Sequence, residues 1–130
     1  MKRKKVSLFL FLLTLFFAPM EISSAASAIT LQVKITGEDK TSFNWSLKCQ
    51  PNGGSHPKVS MACKFLNTPA GKRAILELPK NEMCTEIYGG GITGRIFGDF
   101  RGKKVNLRLD RKNGCKIAQW DSLMKVLVKR

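Results

Sequence analysis

The segment Met83–Gly91 combines the residue types that a chain needs to display one peptide bond to a partner. Cys84 can tie the segment to the rest of the molecule through a disulfide, and the three glycines at its end provide a flexible exit. Glu86 and Ile87 lie between this anchor and this exit. The spacing therefore predicts a loop that is pinned on one side and exposed to a partner outside the molecule.

Other candidate groups give weaker indications of chemistry. His56, the single histidine, has no serine and acid partners in a recognisable pattern, and the carboxylates show no paired spacing. Gly89-x-Gly91-x-x-Gly94 spells a dinucleotide fingerprint, but an alternating strand follows it where the fingerprint requires a helix. The sequence therefore favours a protein that is not an enzyme, and it predicts no cofactor.

All four cysteines lie after residue 28, and an even count in a secreted chain predicts two disulfides. Four cysteines allow three pairings, and the joining of sequence neighbours is the simplest of them. These pairs would be Cys49–Cys63 and Cys84–Cys115. A zinc site is disfavoured because the chain has no CxxC and only one histidine, so no metal is expected.

Residues 1–28 have the organisation of a secretory signal peptide. Lys2-Arg3-Lys4-Lys5 is a positive region, Val6–Ala18 is an apolar run of 13 residues, and Ala26-Ser27-Ala28 fits the small-residue cleavage pattern. The apolar run is too short to span a membrane with ease. We expect cleavage after Ala26 or Ala28, secretion without stable membrane insertion, and one domain at 29–130.

The expected mature part is strongly basic, with 19 Lys and Arg against 8 Asp and Glu, a net charge of +11. This charge would favour anionic envelope polymers or membranes, so a secreted basic binding protein is an alternative function. The bases are scattered along the chain and are not interleaved with aromatic residues in a stacking pattern. A solvated basic surface is therefore favoured, and nucleic acid is not an expected partner.

Alternating apolar and polar residues predict strands at 29–36, 43–49, 92–100, 103–109 and 124–128. The first and second strands should form one hairpin, and the third and fourth another. A short helix is predicted at Pro57–Leu66, followed by a helix break at 67–72. Cys115, Ala118 and Trp120 indicate a second short helix. These elements predict an α+β sheet protein.

Several segments carry a more specific pattern. They include Cys49-Gln50-Pro51 with Ala62-Cys63, then Cys84-Thr85-x-x-Tyr88-Gly89-Gly90, Gly102-Lys103-x-Val105, and Arg111-x-Asn113-Gly114-Cys115-x-Ile117-Ala118-x-Trp120. In this order they resemble the first disulfide, the reactive-site segment, the next hairpin and the last cysteine of the Streptomyces subtilisin inhibitor family. The resemblance covers most of residues 43–123.

The resemblance implies a five-stranded antiparallel sheet with two short helices, and disulfides that join the first cysteine to the second and the third to the fourth. It also implies a homodimer formed through the sheet, and inhibition of subtilisin-type serine proteases by a loop that binds like a substrate. The scissile bond would be Glu86–Ile87. The other residues that would contact the protease are Met83, Cys84, Thr85, Tyr88 and Gly89.

Three positions depart from the pattern of the family. Glu86 stands where many relatives have a hydrophobic or basic residue, which implies a glutamate-preferring serine protease as target, or weak inhibition of common subtilisins. Thr85 and Gly91 stand where relatives can have proline, and they imply a less rigid loop. An inhibitor fold without inhibitory activity is therefore a further alternative.

Overall fold

The computed structural model of the chain describes residues 28–77, 80 and 83–128. The strands are β1 (Ile29–Thr36), β2 (Ser42–Cys49), β3 (Thr93–Phe100) and β4 (Lys103–Leu109), and the helices are α1 (Val59–Leu66), α2 (Pro69–Leu76) and α3 (Gly114–Ser122). Residues 1–27 of the predicted signal peptide lie outside the described residues. No helix in the described part of the chain is long and apolar enough to cross a membrane.

One antiparallel sheet holds these strands in the order β2-β1-β3-β4. Because side chains alternate along a strand, Ile29, Leu31, Val33 and Ile35 all point to one face, where each is at most 4% exposed. The helices and the residues after α3 bury the following side chains in the same core: Ala62, Leu66, Ile75, Trp120, Leu123, Val126 and Leu127. The α+β class and both predicted hairpins are confirmed.

Two disulfides join sequence neighbours, Cys49 to Cys63 and Cys84 to Cys115, as the sequence predicts. The first ties the last residue of β2 to α1. The second spans 31 residues and ties the segment before β3 to the first turn of α3. This second bond holds the segment Met83–Gly91 against the body of the protein.

The prediction of a fifth strand at 124–128 is wrong, because the described sheet has four strands. After α3 the backbone continues in turns, in which the N–H groups of Val126 and Leu127 both donate to the carbonyl of Leu123 at 2.8 Å. These three side chains are fully buried, and their spacing of three and four residues suits a helical turn and not a strand. The apolar run therefore fills the core instead of extending the sheet.

The described residues form three helices, where the sequence predicts two. The first begins at Val59, two residues after the expected start at Pro57. The segment 67–72 ends α1 but also starts α2, so its interpretation as a simple break is wrong. Thr68 caps α2 by accepting a hydrogen bond from the N–H of Gly71 at 3.0 Å, and Pro69 occupies the first turn.

Candidate functional site

The segment Met83–Gly91 crosses from the region after α2 to the start of β3 without regular secondary structure. Every residue from Met83 to Tyr88 is exposed, and Ile87 and Tyr88 are 61% and 67% exposed. The residues that the sequence predicts for a protease-facing loop therefore lie together on one exposed segment. Cys49 and Cys63 lie elsewhere, between β2 and α1.

Two contacts fix the segment on the side that precedes Glu86. One is the disulfide from Cys84 to Cys115. The other is a hydrogen bond of 2.8 Å from the N–H of Gly114 to the carbonyl oxygen of Thr85. The first N–H groups of a helix have no partner within the helix, so the start of α3 can donate one of them to the loop.

The start of α3 is itself fixed by local contacts. Asn113 caps the helix, since its side-chain oxygen accepts the N–H of Lys116 at 2.9 Å. A side chain at Gly114 would require the Thr85 side chain to turn, because a Cβ atom there would lie 2.1 Å from Oγ1 of Thr85. The loop and the start of α3 therefore pack closely where Gly114 meets the Thr85 side chain.

A second pair of contacts fixes the segment on the side that follows Ile87. The N–H of Gly89 donates to the carbonyl oxygen of Arg111 at 2.8 Å, and Nε of Arg111 donates to the carbonyl oxygen of Gly89 at 3.0 Å. Nη1 of Arg111 also contacts the carboxylate of Asp121 at 3.1 Å, which orients the guanidinium from α3. Because this ion pair is partly exposed, it contributes little to the stability of the fold, and its main effect is to orient the guanidinium of Arg111.

The exit of the loop rests on the turn between β1 and β2. Gly90 has a φ of 103°, a left-handed conformation that favours glycine. The N–H of Gly91 donates to the carboxylate of Glu38 in that turn. A proline at 91 would lack this N–H donor and could not form the hydrogen bond to Glu38.

These supporting residues were not predicted as part of the site. Arg111, Asn113 and Gly114 appear in the sequence as an ordinary turn before Cys115, and Glu38 belongs to a turn far away along the chain. One local signal is available: an asparagine just before a helical pattern indicates a helix cap, and thus unpaired N–H groups near Cys115. Nothing in the sequence indicates that Glu38 meets Gly91.

The histidine and the glycine motif have structural explanations. His56 is 4% exposed, its Nε2 lies 2.8 Å from the carbonyl oxygen of Val126, and its Nδ1 accepts the N–H of Lys58 at 3.1 Å. Both ring nitrogens are thus engaged in contacts with the backbone of the protein. Gly94 lies within β3, so the motif leads into a strand and not a helix. The described residues contain no cluster of three His, Cys, Asp or Glu that could hold a metal ion.

A family model described as subtilisin inhibitor-like matches residues 25–113, more than half of the chain. The chain belongs to the subtilisin inhibitor-like family. The matched range includes the whole loop from Met83 to Gly91, and it ends at the residue that caps α3. No curated protein matches the chain. Membership of the subtilisin inhibitor-like family suggests a protease inhibitor and not an enzyme.

Proposed function

We propose that this protein is a secreted inhibitor of serine endopeptidases that presents the Glu86–Ile87 peptide bond to its target. In this proposal residues 1–28 direct secretion and are removed, and residues 29–130 form the inhibitor domain. Cys84, Thr85 and Glu86 occupy the subsites on the acyl side of the bond. Ile87, Tyr88 and Gly89 occupy those on the leaving side, and Met83 extends the contact.

The observation that carries the proposal is the support of the loop on both sides of one exposed bond. The carbonyl of Thr85 is held by Gly114, and both backbone groups of Gly89 are held by Arg111. Only Glu86, Ile87 and Tyr88 lie between these points. A segment that is already fixed in an exposed position loses little conformational entropy on binding, which favours affinity.

The same contacts explain how a substrate-like loop can inhibit. The serine oxygen of the protease attacks the carbonyl carbon of Glu86, and the bond from this carbon to the nitrogen of Ile87 breaks. The nitrogen of Ile87 takes up the proton that the serine hydroxyl has lost. The disulfide and Gly114 retain the acyl end, while Arg111 retains the new amino end through Gly89. Because the amine stays beside the acyl-enzyme, re-formation of the bond competes with hydrolysis and release.

Glu86 determines which protease can be inhibited. An unpaired carboxylate in an apolar pocket is disfavoured by several kcal/mol, so a subtilisin with an apolar pocket should bind weakly. A protease whose pocket provides basic or hydrogen-bonding groups would bind the carboxylate well. We therefore propose a glutamate-preferring serine protease as the first target, with ordinary subtilisins as weaker ones.

The proposal is tested by measuring inhibition constants against a glutamate-specific serine protease and a subtilisin. We expect slow, tight inhibition of the first, and mass spectrometry of the complex should find cleavage only between Glu86 and Ile87. Glu86→Gln keeps the shape but removes the charge, and should weaken this inhibition. Glu77→Gln, at an exposed position just after α2, is the matched control. Absence of inhibition of both classes at micromolar concentration would exclude the proposal.

A change of Glu86 separates an active inhibitor from an inhibitor fold that has lost its activity. Glu86→Met supplies an apolar side chain, so a competent loop should inhibit a subtilisin at least about a hundredfold more tightly than the parent. The measurement is the inhibition constant with a small chromogenic substrate. If the variant is folded and uncut but still does not inhibit, the loop has another role.

A further inference from the structure

The side chain of Glu38, in the turn between β1 and β2, lies against the last residues of the loop Met83–Gly91. Its Oε1 accepts a hydrogen bond from the N–H of Gly91, which lies 53 residues further along the chain. The same carboxylate borders Gly90, since a Cβ atom built there would lie 2.9 Å from Oε1 of Glu38. Glu38 thus connects a separate hairpin to the exit of the loop.

The turn that carries Glu38 is held by its own hydrogen bonds. The N–H of Gly37 donates to the carbonyl oxygen of Thr41 at 2.8 Å, and the N–H of Lys40 donates to the carbonyl oxygen of Gly37 at 3.0 Å. Oδ1 of Asp39 accepts both the N–H of Thr41 at 3.1 Å and the hydroxyl of Thr41 at 2.6 Å. Because the backbone on both sides of Glu38 is fixed, its carboxylate is offered to the loop from a defined position.

Gly91 also lies beside Tyr88, which the proposed function places on the leaving side of the cut bond. A Cβ atom built at Gly91 would lie 3.3 Å from the hydroxyl oxygen of Tyr88 and 3.2 Å from Cγ of Glu38. The absence of a side chain at Gly91 therefore lets both groups approach the backbone there. The position of Gly91 consequently affects how Tyr88 is presented, as well as where the chain after the bond is held.

We infer that Glu38 is a positioning residue for protease inhibition, because its carboxylate holds the part of the loop that cleavage would release. This inference rests on the proposed function, in which the bond Glu86–Ile87 is cut and re-formed. In re-formation the nitrogen of Ile87 attacks the acyl carbon of Glu86. The bond from this carbon to the serine oxygen breaks, and the serine oxygen regains its proton from the nitrogen. The reaction is fast only while the nitrogen stays beside the acyl group.

Two neighbouring contacts keep the released end in place. Arg111 holds Gly89, and Glu38 holds Gly91 two residues later. Hydrogen bonds to a carboxylate are stronger than those between neutral groups. Without Glu38, Gly90 and Gly91 would gain the wide backbone freedom of glycine, and the amine would spend less time beside the acyl group. Glu38 therefore controls how long inhibition lasts, whereas Glu86 controls which protease is inhibited.

The test compares Glu38→Ala with Glu38→Gln, which keeps an acceptor oxygen at the same distance along the side chain. Each variant is incubated with a catalytic amount of a glutamate-specific serine protease, and mass spectrometry follows the loss of intact protein. We expect Glu38→Ala to be cut at Glu86–Ile87 and to lose inhibition at least about fivefold faster than the parent. Glu38→Gln should recover most of this difference. Glu77→Ala, which removes an exposed glutamate just after α2, should behave like the parent.

Two further measurements locate the effect at the N–H of Gly91. Gly91→Pro removes this donor, so adding Glu38→Ala to it should change the rate of cleavage less than about twofold, as expected when two residues act through one contact. Hydrogen exchange of the Gly91 amide, followed by NMR in the free protein, should be at least about fivefold faster in Glu38→Ala than in the parent. The exchange measurement requires no protease.

The outcomes separate this inference from the proposed function. A parent that inhibits, together with Glu38→Ala that is cut no faster than Glu77→Ala, would overturn the inference and leave the proposed function intact. A parent that inhibits neither a glutamate-specific protease nor a subtilisin would overturn both. Equal loss of inhibition in Glu38→Ala and Glu38→Gln would mean that charge and not the contact matters. A full effect of Glu38→Ala in the Gly91→Pro background would mean that Glu38 acts through the stability of the fold. Either result would also overturn the positioning role.

Discussion

Gly114 is the residue at which the loop and its support come closest. A Cβ atom there would lie 2.1 Å from Oγ1 of Thr85, far inside van der Waals contact. Gly114→Ala must therefore turn the Thr85 side chain or displace the start of α3, and because the clashing atom belongs to an exposed side chain we expect a loss of about 1 kcal/mol, the low end of the range for overpacking. We expect a lower midpoint of urea unfolding and weaker protease inhibition, both measured on the purified variant.

Two further variants test this explanation. Gly53→Ala is the matched control, because no atom lies within 4 Å of a Cβ at that position, and its unfolding midpoint should be close to that of the parent. Gly114→Ala combined with Thr85→Ala removes the clashing oxygen and should recover most of the lost stability. A double variant as unstable as Gly114→Ala alone would show that the clash is not the cause.

At the scale of elements, the Cys84–Cys115 disulfide should separate an inhibitor from a substrate. Replacing both cysteines by alanine opens a link across 31 residues, which destabilises by about 3–4 kcal/mol in the chain-entropy model. The acyl end of a cut loop would then be held by Gly114 alone. We expect the variant, where still folded, to be cleaved at Glu86–Ile87 and released, as followed by mass spectrometry against time.

The other disulfide provides the comparison. Replacing Cys49 and Cys63 by alanine should destabilise by about 3 kcal/mol, since the link spans 14 residues. It leaves both ends of the loop attached, so inhibition should persist at temperatures where the variant is folded. Equal loss of inhibition in the two variants would indicate that stability, and not retention of the cut ends, determines inhibition.

The hairpin of β3 and β4 predicts a pH dependence of stability. The N–H of Gly102 and, to a lesser extent, Lys104 hold the pKa of Asp99 below its ordinary value of 3.8. Because folding lowers this pKa, the stabilisation is present above the ordinary value and is lost as the pH falls through the folded value. Asp99→Asn should therefore lower the urea midpoint at pH 6, and the difference from the parent should shrink below about pH 4.

A second variant assigns the cause of this pH dependence. Lys104→Gln removes the weaker partner and keeps the hydrogen bond from Gly102 at 2.7 Å. Its difference from the parent should be smaller than that of Asp99→Asn at pH 6. A difference between parent and Asp99→Asn that stays constant from pH 6 to pH 3 would contradict the assignment.

The elements that the sequence predicts correctly are those whose local pattern and burial agree. In β1 each second residue is apolar and buried, so the period of two determines the strand. The prediction of a strand at 124–128 fails because Leu123, Val126 and Leu127 fit a strand or a helical turn equally well by composition. Only their packing in the core decides between the two structures. The sequence analysis does not predict α2, although Thr68 and Pro69 form a helix-start signal, because Gly71 within this segment indicates a break.

For the molecule as a whole, the exposure of the loop was predictable from the sequence, whereas the contacts that support the loop were not. Cysteine spacing and the resemblance locate Glu86–Ile87 within the loop, because both signals come from residues that are close together in the sequence. Arg111, Asp121 and Glu38 reach the loop from α3 and from the β1–β2 turn, and such contacts depend on tertiary packing. The row formed by Lys34, Arg95 and Arg108 was not predicted for the same reason, because these cations come from separate strands and lie together only in the sheet.

The homodimer implied by the resemblance would use the exposed face of the sheet, where Lys34, Arg95 and Arg108 lie. Two copies facing each other would bring these rows of like charge together, and salt screens such repulsion over about 10 Å at 0.1 M and about 3 Å at 1 M. We therefore expect the dimer to become tighter as the sodium chloride concentration is raised, as measured by sedimentation equilibrium.

Arg95→Gln with Arg108→Gln should tighten the dimer at low salt and reduce the dependence of its dissociation constant on salt, whereas Lys58→Gln with Lys64→Gln should not. A dimer that weakens with salt would mean that the two copies associate through another surface.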